Sequence, residues 1–276
     1  MKLPLLHSSP RLGPSSLRCL LAFGLLFSVL AGSVSAQMKV AVEMEHDVYL
    51  RFQPTLLKVT VLNRAAKPMN IREIGGTMQM KVVVKGSDGR RIDRREDRML
   101  FDRLFIVHPQ ETGSKSIDLF QTYKVSKSDN YTAYVLFTVG SRQYKSETVS
   151  FEVRNGVLEN KLELFEPART FKLLRLDRDK GQFLCLSVFN SRETLAYGVY
   201  ELGRMVQGRE SQIEVDGNDQ VHILHASAPD RYIHSVFTAK GRPVDQDLHK
   251  TEFGEARLNI RSGKAKIVGT RGGTPR

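Results

Sequence analysis

TMQMKVVVK, residues 77–85, alternates along almost its whole length. Met78, Met80, Val82 and Val84 share one face, while Thr77, Gln79, Lys81 and Lys85 share the other. A side-chain period of two marks a strand with one face in a core and the other in water. The same rhythm spreads outward from this stretch. Leu57, Val59 and Val61 alternate with Lys58 and Thr60, and Tyr131, Ala133, Val135, Phe137 and Val139 fall on one side of residues 131–139. Val149, Phe151 and Val153 point inward from residues 148–153, and residues 38–44, 104–108 and 116–120 are further candidates. About seven short strands therefore precede residue 154, as a two-sheet sandwich requires.

Turn signals separate these runs. Ser87-Asp88-Gly89 is one, and Gly140-Ser141 carries glycine first, as a two-residue type II′ hairpin requires. Ser128-Asp129-Asn130-Tyr131-Thr132-Ala133, followed by that hairpin, resembles the exported bacterial immunoglobulin-like or macroglobulin-like β-sandwiches. Tyr131 opens its strand after a polar corner, in the manner of the tyrosine corner. Ala133 stands where the second immunoglobulin cysteine would be, and the chain has no Trp. The resemblance covers residues 37–154 and implies a fold alone, without functional residues.

Beyond residue 154, Leu158, Leu162 and Phe165 recur at helical spacing before Glu166-Pro167, so 155–170 reads as a linker, either a short helix or a loop with apolar anchors. The strand rhythm resumes over 171–176, 182–189, 196–202, 211–215, 220–225, 232–238 and 256–260. Residues 182–189 are apolar on both faces, which predicts a central strand covered on both sides. The chain is thus expected to be all-β, with two β-domains in tandem. The first, 37–154, is an immunoglobulin-like sandwich; the second, 171–261, is a sandwich or partial barrel. Residues 262–276, glycine-rich and basic through Lys264, Lys266, Arg271 and Arg276, read as a mobile tail.

Residues 1–36 read as a secretory signal peptide. Lys2, Arg11 and Arg18 give a positive start, residues 20–30 (LLAFGLLFSVL) an apolar run, and Val34-Ser35-Ala36 a small-residue cleavage site. Export to the periplasm or beyond is therefore expected. Removing that segment leaves 39 Lys and Arg against 30 Asp and Glu, a net +9, which favours acidic partners. Cys185 is then the lone cysteine and sits between Leu184 and Leu186, so no internal disulfide forms and the thiol reads as a buried small hydrophobe.

No G-x-S-x-G elbow, Walker loop or H-E-x-x-H motif occurs, and Asp177-x-Asp179-x-Gly181 lacks the later ligands of a calcium loop. The expectation is a non-catalytic binding protein without cofactor. Its partner would be a protein or an anionic envelope component rather than nucleic acid, with membrane-surface contact through the basic tail. The densest charge run, RRIDRREDR at 90–98, offers Arg90, Arg91, Arg94 and Arg95 as partner-binding residues in the loop 86–101. Two alternatives remain. One is a carbohydrate-binding or hydrolase-accessory module, for which the chain offers eight Tyr but no Trp. The other is a metal-dependent enzyme using His222, His225 and His234. His222 and His225 fall on opposite strand faces, so a hairpin would have to bring one of them beside His234, with Asp219 or Asp230 completing a zinc set.

Overall fold

The computed structural model describes residues 38–100, 104–251 and 255–269. The signal-peptide reading, Cys19, Phe101 and residues 270–276 lie outside them. The fold is all-β, as the alternation requires. In the first part the strands are β1 (Met38–Met44), β2 (Val48–Leu50), β3 (Leu56–Asn63), β4 (Met69–Arg72) and β5 (Met78–Lys85). They continue with β6 (Phe105–Val107) and β7 (Thr112–Asp118), then the single helical turn α1 (Leu119–Thr122), then β8 (Asp129–Val139), β9 (Arg142–Lys145) and β10 (Val149–Arg154). The second part holds β11 (Val157–Leu164), β12 (Arg169–Arg178), β13 (Gly181–Asn190), β14 (Ala196–Arg204) and β15 (Gln212–Val215). It ends with β16 (Gln220–Ala228), β17 (Arg231–Thr238), β18 (Pro243–Lys250), β19 (Arg257–Arg261) and β20 (Lys264–Val268).

Two sheets, ordered β1-β3-β7 and β2-β10-β8-β5-β4-β6 with β9 beside β8, enclose the first core. Met80, Val82 and Val84 of β5 meet Leu57, Val59, Val61, Val135 and Phe137 there, all but sealed from solvent. Gly140 (φ 58°) and Ser141 close the β8–β9 hairpin with Val139 opposite Arg142. The Tyr131 hydroxyl donates to the Lys127 carbonyl at 2.9 Å, and its ring stacks on Phe151 at 5.4 Å. The expected strand at 116–120 is cut short: Asp118 Oδ1 accepts from the N–H of Phe120 and Gln121 and turns the chain into α1.

In the second part, sheet β11-β12-β13-β14 packs against sheet β15-β16-β17-β18, and the β19–β20 hairpin lies over the far face of the latter. Phe171, Leu173, Leu184, Leu186 and Val188 face Val221, Ile223 and Phe237. On its other face the same sheet presents Leu174, Leu176, Cys185 and Val199 to Val48 and Leu50 of β2. The central strand is thus covered on both sides, as its two apolar faces predict. Tyr49 points instead into the first core, so β2 is buried on both faces and joins the two cores.

Two expectations fail here. Residues 157–164 are strand, neither the short helix nor the loop expected of a linker, because their backbone pairs with β12; Leu162 packs on the second core while Phe165 is 95% exposed. The tail reading fails over 262–269, where Lys264–Val268 pairs with β19 and turns Ala265 and Ile267 inward. Among the described residues no helix is long and apolar enough to cross a membrane.

Candidate functional site

A groove of about 580 Å³ runs between the two parts. One wall comes from the chain around β2 and α1. After β2 the backbone folds back, with Gln53 N–H on the Leu50 carbonyl and Leu50 N–H on Gln53 Oε1, both at 2.9 Å. This tight return forces Phe52 to φ 71°, an uncommon conformation for a bulky residue. It also holds the Phe52 ring edge-on to Phe120 at 5.8 Å and to Phe189 at 5.9 Å, with the Arg51 guanidinium 4.5 Å above it. The Asp118 cap presents Phe120 to the groove, and Arg95 lies 5.8 Å over that ring while its Nε donates to the Tyr123 carbonyl at 3.3 Å. Pro54 and Arg98 complete this wall.

The opposite wall is residues 194–200, leading into β14. Leu195 and Tyr197 are 54% and 47% exposed, and Arg169 stacks 3.8 Å over the Tyr197 ring. β14 is the last strand of its sheet, so its outer edge has no strand partner among the described residues. Two carboxylates also line the groove. Asp118 is engaged by the N–H groups of Thr55, Phe120 and Gln121, and Asp97 lies 3.7 Å from Arg98. The exposed chemistry is therefore aromatic and cationic.

The arginine set is divided by the fold. Arg95 lines the groove. Arg94 is paired with Glu73, whose side chain is 8% exposed and which also accepts from Leu100 N–H at 2.8 Å; this arginine clamps its own loop. Arg90 projects into solvent near Asp88 at 3.6 Å, and Arg91, bridged to Lys85 through its backbone, is also exposed. The four do not form one patch.

The histidines do not form the anticipated set either. His222 and His234 do meet across the β16–β17 hairpin, with Nδ1 of the first 3.0 Å from Nε2 of the second and rings nearly parallel at 5.2 Å. The carboxylate beside them is Asp216, at 3.4 Å from His222 Nε2, and not Asp219 or Asp230. Burial, then the neighbouring His222 and His249, push His234 down to about 4. Burial opposes ionisation of Asp216, yet the N–H groups of Gln220 and Asn218, with His222, hold its carboxyl below the usual range. His225 is on the opposite face, because strand side chains alternate, and burial lowers it to about 4. Among the described residues no group of three or more His, Cys, Asp or Glu is placed to hold a metal ion. The Cys185 thiol, sealed in the junction, is pushed up to about 12 by burial.

Sequence reasoning missed Phe52, Phe120, Leu195 and Tyr197. The available signal was Phe120 and Leu195 standing at the ends of alternating runs, where no core position remains for them. No family model matches the chain, and comparisons with curated proteins and with solved structures find no similar protein.

Proposed function

We propose that this chain is an exported, non-catalytic binding protein that seats an extended segment of a partner protein in the groove along β14. The observation that carries the reading is the juxtaposition of an unpaired strand edge with Phe52, Phe120, Tyr197 and Arg95. Strand edges supply main-chain hydrogen bonds to an added strand, and aromatic and Arg side chains are the usual energetic anchors of interfaces. Because β2 is sealed between both cores, the two walls are held in fixed relation before a partner arrives, which lowers the ordering cost of binding. Export rests on residues 1–36, and the Tyr131 corner supports kinship with exported immunoglobulin-like or macroglobulin-like sandwiches.

The test is site-specific photo-cross-linking in the native host. A photoreactive residue at Tyr197 or Phe120 should yield one discrete adduct, absent when the probe stands at Val244 of β18, which does not line the groove. Arg95→Ser should weaken the adduct at least tenfold, whereas Arg90→Ser and Arg91→Ser should leave it intact. Adducts at Val244 alone, or indifference to Arg95→Ser, would reject the groove. A glycan-array signal abolished by Tyr197→Ala would replace the protein partner with a carbohydrate.

A further inference from the structure

The β19–β20 hairpin is a two-sided ribbon with its charges sorted. Its register sets Leu258 opposite Ile267 and Ile260 opposite Ala265. Leu258, Ala265 and Ile267 pack on Leu224, Ala226 and Tyr232 of the sheet beneath. By alternation the other face carries Arg257, Asn259, Arg261, Lys264, Lys266 and Val268. The four cations are all exposed, and among the described residues no carboxylate lies within 4.0 Å of their charged groups. This contrasts with β11 and β12, where Lys161, Lys172 and Arg175 are each tied to glutamates. No Asp or Glu occurs from Arg257 to Arg276.

The ribbon is fixed rather than loosely tethered. Gln212 brackets its start, accepting from Leu258 N–H at 2.7 Å and donating to the Ala256 carbonyl at 3.4 Å. At its turn Gly217 N–H donates to the Gly263 carbonyl at 2.9 Å, and a Cβ on Gly217 would come within 3.0 Å of Gly263 Cα. Arg257 and Arg261 are four residues apart along one strand, roughly 13 Å, and Lys264 and Lys266 stand one strand spacing, about 5 Å, away.

We propose that this outward face docks on an anionic phospholipid surface. An extended row of like charges, held at fixed spacing on one face of a tethered ribbon, complements a layer of many phosphates better than it complements a single anion. The outward set contains no aromatic residue on which nucleic-acid bases could stack, and Val268 supplies an apolar contact at the rim. This site is separate from the groove and does not depend on it.

The test is co-sedimentation of the protein, purified as its host processes it, with vesicles of equimolar phosphatidylglycerol and phosphatidylcholine. It should bind these at about 0.1 M salt, lose binding at about 1 M, and leave pure phosphatidylcholine vesicles unoccupied. Each basic residue near such a surface strengthens partitioning about fivefold, so replacing all four cations by Ser should weaken it by roughly 600-fold. Arg257→Lys with Arg261→Lys should retain binding, since the sign of charge rather than its geometry carries the contact. Should the fourfold variant fold poorly, Lys264→Glu and Lys266→Glu singly should each reduce binding. Equal binding to neutral vesicles, an unaffected fourfold variant, or retention on heparin without any vesicle binding would overturn the proposal.

Discussion

His225 shows how one buried side chain writes a pH dependence into the whole fold. Its ring is 1% exposed, and it is held near pKa 4 against an ordinary 6.5. The unfolded chain therefore takes up a proton between those values that the folded chain refuses. Stability is full above about pH 6.5 and falls as the pH drops toward 4, by about 3 kcal/mol from this residue. His234 adds a contribution of the same sign, screened by its partial exposure. Urea midpoints should thus decline from about pH 7 to about pH 4.5, and His225→Leu should flatten much of that slope. Cys185 gives a second residue-scale expectation. With its thiol raised to about 12 and no surface exposure, it should resist alkylation in the native state and react on unfolding. The sequence already pointed that way, since Leu184 and Leu186 flank it. The partner of His222 was not legible, because Asp216 reaches it through the β15–β16 turn and Asp219 in that same turn does not.

Strands announce themselves only when their two faces differ. β5, β8 and β10 each bury one row of side chains and leave most of the other row facing water, the buried pair Val83 and Tyr134 excepted, and their alternation is plain in the sequence. β18 is exposed along nearly its whole length and β2 is buried on both faces, so neither shows a period of two. β11 misleads for another reason. Leu158, Leu162 and Phe165 imitate a helical stripe, but pairing with β12 decides the backbone and leaves Leu158 and Phe165 in solvent. Between β10 and β11 the chain must pass close to its own junction. Gly156 does so at φ 74°, where a Cβ would stand 2.7 Å from Leu50 Cδ1 and 3.2 Å from the Arg175 carbonyl. Gly156→Ala combines left-handed strain with a clash and should cost about 2–3 kcal/mol, measurable as a lowered denaturant midpoint.

Joining of the two cores is a property of the whole molecule. Val48 and Leu50 fill the space beside Leu174, Leu176 and Cys185, while Arg178, 4% exposed, donates to the Val48 carbonyl at 2.8 Å and pairs with Glu201 at 2.7 Å. Calorimetry should therefore record one cooperative transition. Leu50→Ala, at a cost of about 2–5 kcal/mol, should loosen the junction enough to separate it into two. The same substitution should weaken partner capture in the groove, because its walls belong to different cores.

Alternation in the amino-acid sequence by itself determined that the protein is all-β, where many of its strands lie, and that the Cys185 thiol is buried. Those are consequences of short-range periodicity and composition, which each segment carries alone. The groove, the division of the arginine run and the His222–His234 contact were decided only by tertiary structure. They depend on which faces meet across residues far apart in the chain, and pairing register and burial against a distant core are set by the packed whole.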